Sequence, residues 1–287
     1  MSNRRQSGAT GDGPTRVLPR AGGNQPNAFI GILLGFSSVY LSISARKKAM
    51  FYLVWIAFLS ILSAFVELDT AHSYFTQKHN ILNQFGVKIG WFWTCIVVGP
   101  FIYYVSKGSF PDSNRFAKDL SRLAAATGLW YFTVQVFHRI LHATSRCDVG
   151  GFGLSRADCS LKGGKWLLGF DISGHCFLML FSVLIITEES GALRAFLRQC
   201  KERPDYTKEY TTTVNGFYLA MAALHLFWDF QLIISSLYYH IMFDKVAGAA
   251  TAVGCWALIY RIGCRSGILP FPPGTERKVT TKKCAHK

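Results

Sequence analysis

Six apolar runs, at residues 49–66, 87–105, 120–142, 172–187, 214–238 and 246–260, constrain this chain more than any other feature. Their residues are apolar in continuous stretches rather than at helical or strand spacing, and a helix needs roughly 20 such residues to cross a hydrocarbon core of about 30 Å. A backbone in lipid has no water to bond, so isolated runs of this kind must become helices. The expected fold is an all-α integral membrane protein built as a six-helix transmembrane bundle. Half of the residues are hydrophobic and only 16% are charged, in keeping with that class.

Six crossings place both termini on one side. The net charge of +15 would suggest nucleic acid in a soluble protein, but here the cations gather between the apolar runs. With cytoplasmic termini, segments 1–48, 106–119, 188–213 and 261–287 hold 22 lysines and arginines, against 6 in 67–86, 143–171 and 239–245. The positive-inside rule favours this orientation, and no nucleic-acid partner is expected. Residues 1–27 contain four arginines, one acid, five glycines and three prolines, which supply neither a core nor a signal peptide. They read as a disordered basic cytoplasmic tail, and residues 263–287 as a second one, with the transmembrane domain at 28–262. Residues 28–44 are apolar but short, hold four serines and run straight into Arg46, Lys47 and Lys48. They read as an extra N-terminal helix that lies in the interface or re-enters. A seventh crossing would instead carry the basic C-terminal tail to the far side.

Of eight cysteines, Cys147 and Cys159 share the large non-cytoplasmic loop. An oxidising lumen would allow a disulfide there, stabilising the chain by roughly 3 kcal/mol, with two free thiols as the alternative.

Two histidines reach that same face from different helices: His175 in "DISGH" and His240 in "SSLYYHIMFDK". A pair of imidazoles facing one cleft can divide phosphoryl transfer, one attacking phosphorus and the other protonating the departing oxygen. That scheme requires no metal and no cofactor. Asp244 lies four residues after His240, one turn on, where it could fix the tautomer of the attacking ring; the alternative is a solvated charge beside Lys245. Ser173 and Gly174 open a helix whose first N–H groups favour a phosphate oxygen, although a serine there is equally an ordinary N-cap.

This spacing resembles the lipid phosphate phosphatase superfamily, in which a PSGH stretch supplies the acid and S-R-x5-H-x3-D supplies the nucleophile. Here Ile172 replaces the proline, H-x3-D persists without the serine-arginine pair, and the K-x6-R-P element is missing. Lys78, Lys88 and Arg139 are candidate substitutes for that phosphate clamp.

The stretches "QKHNILNQFGVKIGWFWT", "LSRLAAATGLWY", "GGKWLLGFDISGHCFLMLF", "YYHIMFDKVAGA" and "CWALIY" together resemble the fat storage-inducing transmembrane family. The resemblance runs from about residue 49 to 262. It implies a six-span protein of the endoplasmic reticulum with both termini cytoplasmic, needed for lipid droplets to form. It implies a fatty acyl-CoA diphosphatase that cleaves the CoA diphosphate at the lumenal face, giving an acyl phosphopantetheine and adenosine 3',5'-bisphosphate. The family's two catalytic histidines fall on His175 and His240. Its members bind diacylglycerol and triacylglycerol, a role that maps onto Asn80, and its F-L-L tract maps onto Phe177, Leu178 and Met179. Asn80, Lys78, His175 and His240 share one side of the membrane in the charge-derived topology, so a single interfacial site could hold a diphosphate while the acyl chain stays in lipid.

Two rival readings use other residues. His138 and His142 stand one turn apart as in di-iron histidine boxes, but this chain has eight histidines and no adjacent pair. A non-enzymatic protein that partitions neutral lipid would use His175 and His240 only to support its fold. His225, with Trp228 and Asp229 nearby, reads as an intramembrane polar cluster that satisfies itself across the bundle.

Overall fold

The computed structural model describes residues 28–65, 81, 86–110, 115–149, 153, 155–239 and 241–275. In chain order these form α1 (Ala28–Leu41), α2 (Ala45–Phe65), α3 (Gly90–Ser109), α4 (Arg115–Thr144), β1 (Arg146–Cys147), α5 (Arg156–Leu161), β2 (Trp166–Leu167), α6 (Gly174–Ser190), α7 (Leu193–Glu202), α8 (Pro204–Tyr238) and α9 (Met242–Ala257). The last helix continues as a π-helical stretch, Leu258–Gly263.

The protein is an all-α membrane protein. Gly174–Glu202, Pro204–Tyr238 and Met242–Gly263 are each long and apolar enough to cross a bilayer by length and composition. Ala28–Leu41 and Ala45–Ser63 pass that test only together, and they are bent by 74° at their junction. An interfacial or re-entrant α1 is consistent with that bend. Its residues Phe29, Ile32, Phe36 and Val39 are exposed, an apolar face suited to lipid.

α6 sits at the centre. Its run GHCFLMLFSVLIIT is apolar all round, and a helix of that kind belongs inside a bundle. Every residue from Cys176 to Thr187 is buried, against α9 and α8 first and then α3 and α2. α2 keeps one lipid-facing stripe instead, with Met50, Phe51, Val54, Phe58 and Ile61 exposed.

Several boundaries differ from the apolar runs. α8 begins at Pro204 rather than near 214, because proline suits a first helical turn and the polar residues 205–213 simply continue the helix out of the apolar layer. α2 begins at Ala45 and carries Lys48, which the charge count assigned to the cytoplasmic segment. Lys48 is buried, its Nζ 2.8 Å from His225 Nε2. An ammonium there donates, so Nδ1 of the ring bears the hydrogen and faces Asp229 Oδ2 at 3.2 Å. Tyr40 and Tyr52 both donate to the Asp229 carboxylate. His225 thus satisfies itself across the bundle as expected, and in doing so ties α1 and α2 to α8.

A second buried network lies toward the same end of α6, where Thr187 also reaches His225 Nε2 at 3.4 Å. Arg122 of α4 meets Glu189 of α6 through two parallel bonds of 2.7 and 2.8 Å, and its NH1 donates to Asp119 at 2.9 Å. Ser106 of α3 donates to Asp119 at 2.8 Å, and Tyr260 donates to Glu189 at 2.6 Å. Glu188 accepts from Arg261 at 2.8 Å and from Trp256 at 3.2 Å. Both Arg122 and Glu189 are fully buried, so each charge depends on the other.

Candidate active site

The chain is led into α6 by a braced loop. β1 and β2 pair antiparallel, with Cys147 opposite Trp166, and a disulfide joins Cys147 to Cys159. Of the two states that the sequence left open for these thiols, the bonded one forms. Asp148 accepts the Lys165 backbone N–H at 2.7 Å, and Ser155 caps α5 by accepting from Asp158 N. The strand then returns to α4, where Gly169 N donates to Ser145 Oγ at 3.0 Å and Phe170 N to Thr144 Oγ1 at 2.8 Å. Four residues after Phe170 the chain enters α6.

Ser173 is the N-cap of α6. Its hydroxyl accepts from Cys176 N at 3.3 Å and the residue is fully buried, while Gly174 is exposed and His175 half-buried in the first turn. The cap is also fastened to another helix. Ser173 N donates to the Asp244 carbonyl oxygen at 3.0 Å, which lays the start of α9 against the start of α6. Gly248, one turn on, makes that approach possible: a Cβ there would overlap the Ser173 carbonyl oxygen. The end of α8 joins them through Cys176 Sγ and Ser235 Oγ, 3.6 Å apart. Three helix ends therefore meet beside His175.

The other expected residues divide by position. Asp244 stands in the first turn of α9 and is buried, as is Lys245, so the solvated alternative for this charged pair does not hold. Lys88 is exposed just before α3, and Arg139 is exposed on α4. Phe177, Leu178 and Met179 are buried in the core: the Phe177 ring packs edge-on to Phe137 at 5.4 Å and stacks on Phe181 at 5.6 Å. His240, Asn80 and Lys78 lie outside the described residues. His138 and His142 are both exposed on α4, and the group of metal-type ligands among the described residues is Cys147, Asp148 and Cys159, whose two thiols are already joined.

Sequence reasoning passed over Lys245. Its position directly after H-x3-D was visible, but nothing in that spacing told a buried ammonium from a surface one.

Comparison with known proteins shows the family of the chain. The family model described as "Fat storage-inducing transmembrane protein" matches residues 71–145 and 141–260. The chain is 44% identical over 279 residues to the acyl-coenzyme A diphosphatase FITM2 of Caenorhabditis elegans, covering 95% of this chain and 97% of that protein. It is 30% identical to the protein of the same name from Drosophila melanogaster over 79% of this chain and 60% of that one. With the human counterpart the identity is 28%, over 84% and 94% of the two chains. No solved structure matches. Carried across nearly the whole length, this similarity places the chain in the fat storage-inducing transmembrane family.

Proposed function

We propose that this chain is a fatty acyl-CoA diphosphatase whose site is the junction of α6, α8 and α9. The observation that carries the reading is the bond from Ser173 N to the Asp244 carbonyl oxygen. It holds the turn bearing His175 against the helix that follows Tyr239-His240-Ile241 in sequence. Acyl-coenzyme A diphosphatase is also the name of relatives that align over most of this chain.

In this reading one imidazole attacks a phosphorus of the CoA diphosphate. The P–O bond to the bridging oxygen breaks, the electron pair stays on that oxygen, and the second imidazole protonates it. Water then cleaves the phosphohistidine, which restores the ring and gives acyl phosphopantetheine and adenosine 3',5'-bisphosphate. We assign the acid role to His175 and the attacking role to His240. The positive end of the α6 dipole, opened by Ser173 and Gly174, stabilises charge on the phosphate. Asp244 orients the attacking ring, and Lys78 and Lys88 approach the phosphates from outside.

The same reading makes α2, α3, α4, α6, α8 and α9 the six crossings. At about 1.5 Å per residue, the 20 residues of α3 and the 30 of α4 are long enough to span. Both termini are cytoplasmic and the site faces the lumen of the endoplasmic reticulum, which agrees with the disulfide in the loop beside it. Asn80 contacts diacylglycerol and triacylglycerol, and Phe177, Leu178 and Met179 shape the acyl-chain environment through packing. Support of lipid droplet formation follows from this chemistry at the membrane.

The test uses purified protein in detergent with oleoyl-CoA and EDTA, products identified by mass spectrometry, beside folded His175→Ala and His240→Ala variants. Acyl phosphopantetheine from wild type and none from either variant is the expected result. An inert wild type, or variants that turn over normally, would leave a neutral-lipid binding protein as the better account.

A further inference from the structure

Two consecutive residues of α9 hold two helix ends that neighbour the histidines in sequence. Asp244 does so through its backbone, accepting from Ser173 N at 3.0 Å, two residues before His175. Lys245 does so through its side chain, whose ammonium donates to the Ser236 carbonyl oxygen at 2.7 Å, four residues before His240. The final carbonyls of a helix lack N–H partners in a following turn. Tyr239 N closes on Ser235 O at 3.3 Å, and the next carbonyl, Ser236, takes the ammonium. A cation at that place also opposes the negative end of the α8 dipole. The Lys245 residue is only 1% exposed, so its charge acts on this junction rather than on water. Among the described residues, the titratable groups that act on it are Cys176 and Asp244.

Taking the two-histidine reading above as its basis, we propose that Lys245 is a positioning residue of the diphosphatase site. Its ammonium sets the spacing between the ends of α6 and α8 and holds a positive charge at the face where the diphosphate binds. The geometry is a clip: one α9 turn grips the α6 start by its backbone and the α8 end by its side chain. Loss of the side chain would leave half of the clip, with the α6 start still held and the α8 end released.

The test measures kcat, KM and the pH profile with oleoyl-CoA for wild type, Lys245→Met and Lys245→Arg, each checked for folding by thermal denaturation. For Lys245→Met the expected result is a fall in kcat of about 30-fold with KM within about twofold, because alignment rather than binding is lost. The acid limb of kcat/KM should also move up by about half a pH unit, since imidazoles that lose a neighbouring cation protonate more easily. Lys245→Arg keeps the charge but places a larger head on the α8 end, so kcat falls about three- to tenfold while the acid limb stays in place. A folded Lys245→Met with wild-type kcat overturns the proposal, and so does one whose kcat falls without movement of the acid limb. Should Lys245→Met not fold, Lys245→Arg decides: reduced kcat with an unmoved limb supports the role, and wild-type kcat overturns it. A wild type that does not turn over oleoyl-CoA sinks the two-histidine reading itself, which is a separate outcome.

Discussion

At the Glu188–Ser190 end of α6, buried charge is matched by buried charge. Glu189 faces Arg122, and Tyr260 and Asp119 complete the set in a region closed to water. At the Ser173–His175 end of the same helix, the cap is equally well bonded, but the ring that follows is half-exposed and the glycine before it lies open. One end is a lock, where each partner is needed to keep the other from being an orphaned charge. The other is a braced opening, where a titratable group is held firmly and still reached from outside. The difference separates polar residues sealed inside the fold from one that the surroundings still reach, although both ends look alike as polar flanks of an apolar run.

Four variants probe that contrast. His175→Ala should lower kcat/KM at least about a thousandfold, near 4 kcal/mol of barrier, while thermal denaturation stays close to wild type. Retained turnover would take chemistry away from this end. Glu189→Gln should do the reverse, destabilising the protein by roughly 3 kcal/mol because Arg122 is left buried without its counter-charge, with turnover per folded molecule unchanged. A neutral effect in denaturant titrations would show that the network is no lock. Replacing Cys147 and Cys159 together by serine should cost about 2–4 kcal/mol in the same titrations, and oxidised and reduced wild type should differ by as much. The smallest effect belongs to Ser173→Ala, about 1 kcal/mol for a lost cap, because the backbone bond to Asp244 survives. A loss several times larger would mean that the hydroxyl does more than cap.

The membrane class was legible in the sequence, because long runs apolar on every side become helices in lipid. The disulfide was legible as one of two options, from two cysteines sharing a loop. The polar networks were not. His225 and Asp229 stand four apart and could be paired by eye, but Tyr40, Tyr52 and Lys48 reach them across at least 177 residues of chain. Arg122 and Glu189 are 67 residues apart and sit in different runs. Counting charge by segment sorted Lys48 and Lys245 with the solvent, because a count by position cannot see which lysines fold inward. Phe177, Leu178 and Met179 were legible as apolar but not as core, since lipid and protein interior select the same side chains.

The placement of α6 also orders how the molecule can be made. Its covering partners α8 and α9 come later in the chain, as do Tyr260 and Arg261, whereas Arg122 comes before it. A nascent α6 therefore enters the membrane with Glu189 already able to find its guanidinium and with its apolar sides still in lipid, a solvent that tolerates the wait. Residues 191–263 must then be synthesised, a matter of several seconds at about 5–20 residues per second, before the helix is enclosed. A ribosome that stops short of Tyr260 leaves Glu188 without Arg261 and α6 without part of its cover, so an unfinished chain carries its own sign of incompleteness within the bilayer.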